Sequence, residues 1–245
     1  MDCTLKKEPL GNGCFVYTSP EYRFGTDAVL LANFLNPKSN DNVCDLGCGS
    51  GIIPMLLCRD MPSRHVTGVD IQQNAAELCK KAAGENGFEN LNVICADLKN
   101  LKPVLPMSSF DIVCCNPPYK TDGAGIKNPN KARMIARHET ECTFSDVAAA
   151  AKALLRSGGR FCVCHRPERL ADIMCAMREN RLEPKRLRTV HQRKNEQPWL
   201  VLVEGRRDGK SGMRIMPPLY IEKNGELSSE MCEIYGIYKT KIQEG

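Results

Sequence analysis

A doubly wound α/β sheet, mostly parallel, is the architecture this 245-residue chain predicts. Three observations carry it. β-prone runs alternate with helical ones at the spacing of βα units. The run 42–45 stops at Gly47-Cys-Gly49-Ser-Gly51 and turns directly into a helical pattern. Two later runs end in acids, Asp70 and Asp97, on the sheet edge where open α/β sheets hold ligands.

The elements follow in order. A β-prone piece at 14–17 leads to Thr26, a helix N-cap by residue type, and a helix over 27–35. Strand 42–45, helix 52–59, strand 65–70, helix 72–85 and strand 91–96 come next, then strand 110–115. A loop of Gly, Asn, Lys and Pro covers 120–131. The pattern resumes with helix 145–156, strand 160–164, helix 168–180 and strands near 185–191 and 199–204. The division expected is an N-terminal segment 1–40 packed on a catalytic domain 41–204, with 205–245 an extended C-terminal arm.

The chemistry concentrates in Asn116-Pro117-Pro118-Tyr119, directly after the strand 110–115. Two prolines forbid continuation of ladder or helix, so Asn116 and Tyr119 sit on a stiff loop at the strand's C-terminal end. The Asn116 side-chain oxygen and the Pro117 carbonyl can each accept one N–H of a planar exocyclic amine. Tyr119 offers a flat face to the ring that carries it. Asn-Pro is also common in bare turns, so the motif alone leaves both readings open.

The upstream motif adds to it. Gly47, Gly49 and Gly51 let a ligand approach the backbone, and the helix that follows presents free N–H groups. Their G-x-G-x-G spacing is not the dinucleotide fingerprint. Asp45 before them repels a pyrophosphate but can pair with the ammonium of an amino-acid ligand. Asp70 suits a ribose hydroxyl pair, and Asp97 an adenine amino group. Each acid has a plainer alternative, Asp45 as a helix-flanking acid and Asp70 and Asp97 as N-caps.

In this order D-L-G-C-G-S-G, G-V-D, A-D-L and N-P-P-Y resemble the class I S-adenosylmethionine-dependent methyltransferases that modify amines. The segments Arg23-Phe-Gly25-Thr26-Asp27, Ala136-Arg137-His138-Glu139 and His165-Arg166-Pro167-Glu168-Arg169-Leu170 look like the bacterial tRNA1(Val) adenine-37-N6-methyltransferases. The resemblance runs over nearly the whole chain. It implies a Rossmann-like sheet with an antiparallel last strand and S-adenosylmethionine as cofactor. Thr26, Asp27, Asp45, Gly47, Gly49, Gly51, Asp70, Asp97 and Asn116 would bind that cofactor. Asn116, Pro117 and Tyr119 would be catalytic, and the substrate would be tRNA.

Charge places the substrate side. Residues 152–214 hold 16 Lys or Arg against 7 Asp or Glu, while the whole chain is only +5. Arg178, Arg181, Lys185, Arg186, Arg188, Arg193 and Lys194 cluster there, a polyanion surface or simply a solvated face. A second set, Lys120, Lys127, Lys131, Arg133 and Arg137, follows the catalytic loop, where phosphates would settle. His138 lies beside that set, and His165 ends strand 160–164 on the same sheet edge as Asn116. Both join the expected tRNA contacts.

Composition excludes other classes. Fourteen cysteines without a C-x-x-C pair read as buried thiols, not as a disulfide framework or a zinc site. No apolar signal segment or membrane-length run appears, so a cytoplasmic monomer without metal or membrane is expected. The rivals are a glutamine-N5-methyltransferase acting on a release factor, a nicotinamide dehydrogenase, and a non-catalytic tRNA-binding protein keeping the fold. The first needs a helical domain for which the 44 residues before Asp45 are too few. The second lacks the glycine spacing. Intact Asn116, Tyr119, Asp45 and Asp70 argue against the third.

Overall fold

Every residue of β3 (Val43–Leu46) is buried, as is nearly all of β6 (Phe110–Cys115). Strands buried on both faces belong at the centre of a parallel sheet. A computed structural model describes residues 5–61, 65–118 and 142–236. Period-two alternation splits these strands between two apolar clusters. Val43, Ile112, Cys114, Cys162 and Cys164 face one, while Cys44, Leu46, Val113, Cys115, Phe161 and Val163 face the other. Helices α1 (Thr26–Leu35), α2 (Ile52–Asp60) and α3 (Gln73–Glu85) cover the first face. Helices α4 (Phe144–Leu154) and α5 (Leu170–Glu179) cover the second.

The remaining strands are β4 (Val66–Asp70), β5 (Leu91–Cys95), β7 (Leu155–His165), β8 (Leu182–His191), β9 (Pro198–Arg207), β10 (Arg214–Ile215) and β11 (Leu219–Tyr220). The nine-stranded sheet runs β10-β8-β9-β7-β6-β3-β4-β5, with β11 also paired to β8. From β7 to β5 all neighbours are parallel. β9 is antiparallel to both β7 and β8, the reversed strand that the family resemblance implied. The switch in winding lies between β3 and β6, which puts a ligand crevice at their C-terminal ends.

Two local readings change. The β-prone piece is the second half of a hairpin, β1 (Lys6–Gly11) with β2 (Cys14–Thr18), turned by Asn12 and Gly13, both at positive φ. Asn-Gly is the strongest short hairpin signal, and it stands in the sequence. Asn86, just past α3, docks this hairpin by bonding both the N–H and the C=O of Phe15. Thr26 is not an N-cap: Gly25 takes that position without a side-chain bond, and the Thr26 hydroxyl instead meets the Tyr235 hydroxyl at 3.0 Å.

Beyond β9 the chain is a series of short pieces. β10 and β11 extend the outer edge of β8, and Met216 N–H donates to Leu187 C=O between them. An edge strand is thereby covered. A two-residue hairpin, β12 (Glu222–Lys223) with β13 (Glu226–Leu227), precedes α6 (Ser229–Tyr235). Ser228 caps α6, and Met231 and Tyr235 anchor it in the core of the first face. Among the described residues, no helix is long and apolar enough to cross a membrane.

Candidate active site

The C-terminal ends of β3, β4 and β6 meet at one edge of the sheet. Leu46 aligns with Val69 on one side and Cys115 on the other. Beyond Leu46 the backbone turns through Gly47, Gly49 and Gly51, at φ 74°, 56° and 97°. Only glycine holds such a series cheaply. At Gly51 a side chain would also strike the Cys79 thiol on α3, so this turn packs directly on the helix after β4. Gly47 and Cys48 both donate to the Val69 carbonyl, at 2.8 and 3.0 Å.

Asp70 braces that turn. Its Oδ2 accepts the Gly49 N–H and its Oδ1 the Gln72 N–H, each at 2.8 Å. It is not the N-cap of α3, a place taken by Gln72. The Tyr22 hydroxyl bonds Gln72 Oε1 at 3.3 Å, bringing the N-terminal segment over the same edge. Burial, then the charges of Glu21 and Asp70, hold the Tyr22 hydroxyl above its ordinary pKa.

Asp45 lies deeper, 2% exposed, and accepts from the Cys114 thiol at 3.4 Å. Burial pushes its carboxyl from 3.8 to about 7, the thiol bond pulls back, and Asp70 adds repulsion. A buried acid whose partner is a thiol rather than a cation is prepared for a cationic ligand group.

On the other side of β3, Asn116 follows β6 directly. Its Nδ2 donates to Asp27 Oδ2 at 3.2 Å, and its Oδ1 accepts from the Cys164 thiol at 3.0 Å. Cys114 and Cys164 are the sequence-silent members of this site. Each lies on the face that carries α1, where a small side chain lets the helix bring Asp27 against the loop.

The sequence profile of a methyltransferase domain matches residues 37–207. The chain belongs to that family. It is 31% identical over 136 residues to a tRNA1(Val) (adenine(37)-N6)-methyltransferase of Aliivibrio salmonicida, covering 55% of this chain and 56% of that one. A Porphyromonas gingivalis protein of the same name is 28% identical over 191 residues, covering 75% and 74%. The chain thus spans just over half the length of the first relative and about three quarters of the second. A solved structure of a predicted O-methyltransferase from Agrobacterium tumefaciens superposes with a TM-score of 0.71 at 22% identity, over 86% of this chain and 96% of that one. At that identity the likeness is one of fold.

Membership of the methyltransferase family implies S-adenosylmethionine as the cofactor. The residues present fit it. The buried Asp45 carboxyl would meet the ammonium, the side-chain-free glycine turn would leave room for the chain of the ligand, and Asp70 at the end of β4 would meet the ribose. Asp97 fits less simply: its carboxylate accepts the Lys99 N–H at 2.9 Å and caps the short turn Leu98–Asn100, the plainer of its two readings. Among the described residues, no cluster of His, Cys, Asp and Glu is arranged to hold a metal ion.

The expected tRNA contacts separate. Lys120, Lys127, Lys131, Arg133, Arg137 and His138 lie outside the described residues, as does Tyr119, expected to be catalytic. His165 does end β7, but on the face of Phe161 and Val163, with its ring edge-on to Phe144 at 6.4 Å. Asn116 is on the opposite face. The cluster 178–194 of the methyltransferase is largely committed internally. Arg178 pairs with Glu183, Arg181 with Asp208, Arg186 with Glu204, Arg188 with Glu230 and Arg193 with Glu222. Lys185 binds the carbonyls of Lys210 and Gly212. Lys185, Arg188 and Arg193 tie the C-terminal pieces to the sheet, so these cations have partners within the chain.

Proposed function

We propose that the protein transfers a methyl group to the N6 amine of an adenine in tRNA, at adenine 37 beside the anticodon of a valine tRNA. The observation that carries this reading is the Asn116 carboxamide, fixed at the end of β6 beside Pro117, on the strand next to the one that carries Asp45. The names of the relatives from Aliivibrio and Porphyromonas support the choice of acceptor.

S-adenosylmethionine supplies a sulfonium methyl, an electrophile that needs no further activation. The lone pair of an adenine amine is delocalised into its ring, so the amine must be turned toward the methyl. Asn116 Oδ1 retains a second lone pair beside the Cys164 thiol and can accept one amine hydrogen. The Pro117 carbonyl can accept the other. Both bonds strengthen as the nitrogen becomes positive during displacement, which is where binding lowers a barrier. The proton leaves to solvent after the new N–C bond forms, so no strong base is required. The base must be unstacked to reach this loop, which is cheapest in a single-stranded RNA loop.

The test is methyl transfer to tRNA from a strain lacking the gene, followed by nucleoside mass spectrometry. N6-methyladenosine is expected. N2-methylguanosine, or label found only in protein, overturns the assignment, and the second outcome favours the glutamine-modifying alternative.

A further inference from the structure

Asn116 is held at both ends of its side-chain amide. Asp27, in the first turn of α1, takes the Nδ2 end, and Cys164, on β7, takes the Oδ1 end. The two partners come from elements 89 and 48 residues away in sequence. A carboxylate only accepts, so the amide nitrogen must face Asp27; the flipped amide would set oxygen against oxygen. Cys164 supplies the complementary donor. It is fully buried, and burial, followed by the negative charge of Asp27, keeps its thiol protonated well above the ordinary range.

The residue types matter as well as the geometry. A thiol is a weak donor, so Oδ1 is oriented without being saturated and keeps its acceptor strength for an incoming N–H. The negative charge of Asp27 polarises the amide through its N–H, which makes the carbonyl oxygen a better acceptor. That gain is largest when the acceptor amine turns cationic.

We propose that Asp27 and Cys164 are positioning residues: together they fix which end of the Asn116 carboxamide faces the acceptor amine, and Asp27 acts through Asn116 rather than on the cofactor. The inference rests on the amine-acceptor reading above.

Selective 15N-asparagine labelling provides a readout that needs no substrate, with the Asn116 side-chain amide assigned by its loss in Asn116→Asp. In the wild type that NH2 group should exchange slowly with solvent. In Asp27→Asn it should shift and exchange faster. In turnover, Asp27→Asn should lower kcat by about thirtyfold to a hundredfold with KM for tRNA nearly unchanged, the scale of a misplaced reacting group. Calorimetric affinity for S-adenosylmethionine should stay within about threefold, as a residue that acts through Asn116 requires, in contrast to the direct cofactor contact that the family resemblance implied for Asp27. Cys164→Ala should lower kcat about fivefold and Cys164→Ser should recover most of it, because the hydroxyl restores a donor. An unmoved Asn116 amide with normal kcat in Asp27→Asn overturns the proposal. So does a loss that appears entirely as weaker cofactor binding, and so does equal damage by Cys164→Ser and Cys164→Ala. If the wild type methylates no tRNA at all, the acceptor assignment falls, while the amide resonance still decides the positioning.

Discussion

The Cys114 thiol donates to Asp45 Oδ1 at 3.4 Å, inside a strand pair in which both residues are buried. A thiol is a poor substitute for water around a carboxylate, and burial raises the Asp45 carboxyl to about 7 as a result. Cofactor binding should therefore depend on pH. Pairing with an ammonium requires the ionised acid, so affinity for S-adenosylmethionine should fall about tenfold per pH unit below about 7. Titration calorimetry from pH 5 to 8 checks this. A flat profile would remove Asp45 from the ammonium site.

The same group sets a stability slope in the cofactor-free protein. Its carboxyl titrates near 3.8 when unfolded and near 7 when folded. Between those values the folded chain binds the extra proton, so stability falls as pH rises through the window. The Asp45→Asn variant should lose this slope and be the more stable form at pH 8, by on the order of a few kcal/mol. Urea unfolding at pH 5 and pH 8 measures the difference.

Replacing Asn116 by Ala removes an acceptor that matters most in the transition state. The kcat should fall at least about a hundredfold while tRNA affinity holds. Steady-state kinetics beside a filter-binding assay separates the two. Near-normal kcat would exclude the proposed role of the loop.

Asp70 braces the glycine turn, and a ribose contact would give it a binding task as well. Asp70→Ala should weaken S-adenosylmethionine by about 1–3 kcal/mol, as expected for a lost charged acceptor. It should also lower the Tm of the cofactor-free protein, because the Gly49 and Gln72 N–H groups lose their acceptor. A lower Tm with unchanged affinity would confine Asp70 to the turn.

Glu204 is 5% exposed and receives both Arg160 and Arg186, whose guanidinium groups also bond the Leu35 and Phe34 carbonyls at the end of α1. Removing the acid leaves two half-buried cations facing each other. Glu204→Ala should cost about 3–5 kcal/mol of stability. Arg186→Ala should likewise lower Tm and leave the salt dependence of tRNA binding as it is. A weakened tRNA complex with unchanged Tm would return this cluster to the nucleic-acid surface.

The parallel sheet was legible because its code is local. Runs such as 110–115 are apolar apart from Asp111, the glycine turn follows the run 42–45 directly, and acids stand at the strand ends, Asp70 and Asp97. Those patterns also place Asp45, Asp70 and Asn116 on one edge, since parallel strands all end there. Asn12-Gly13 was equally local, and the hairpin that it turns was still missed because only its second strand is apolar. What tertiary structure alone decided is which polar groups satisfy one another. Asp27 turns to Asn116, Asp97 turns to its own backbone, and Thr26 turns to Tyr235, 209 residues away. The arginines of 178–193 meet acids from Glu183 to Glu230. A side chain's residue type states what it can donate or accept. Its partner is set by which elements the apolar faces bring together, and that pairing has no period along the chain.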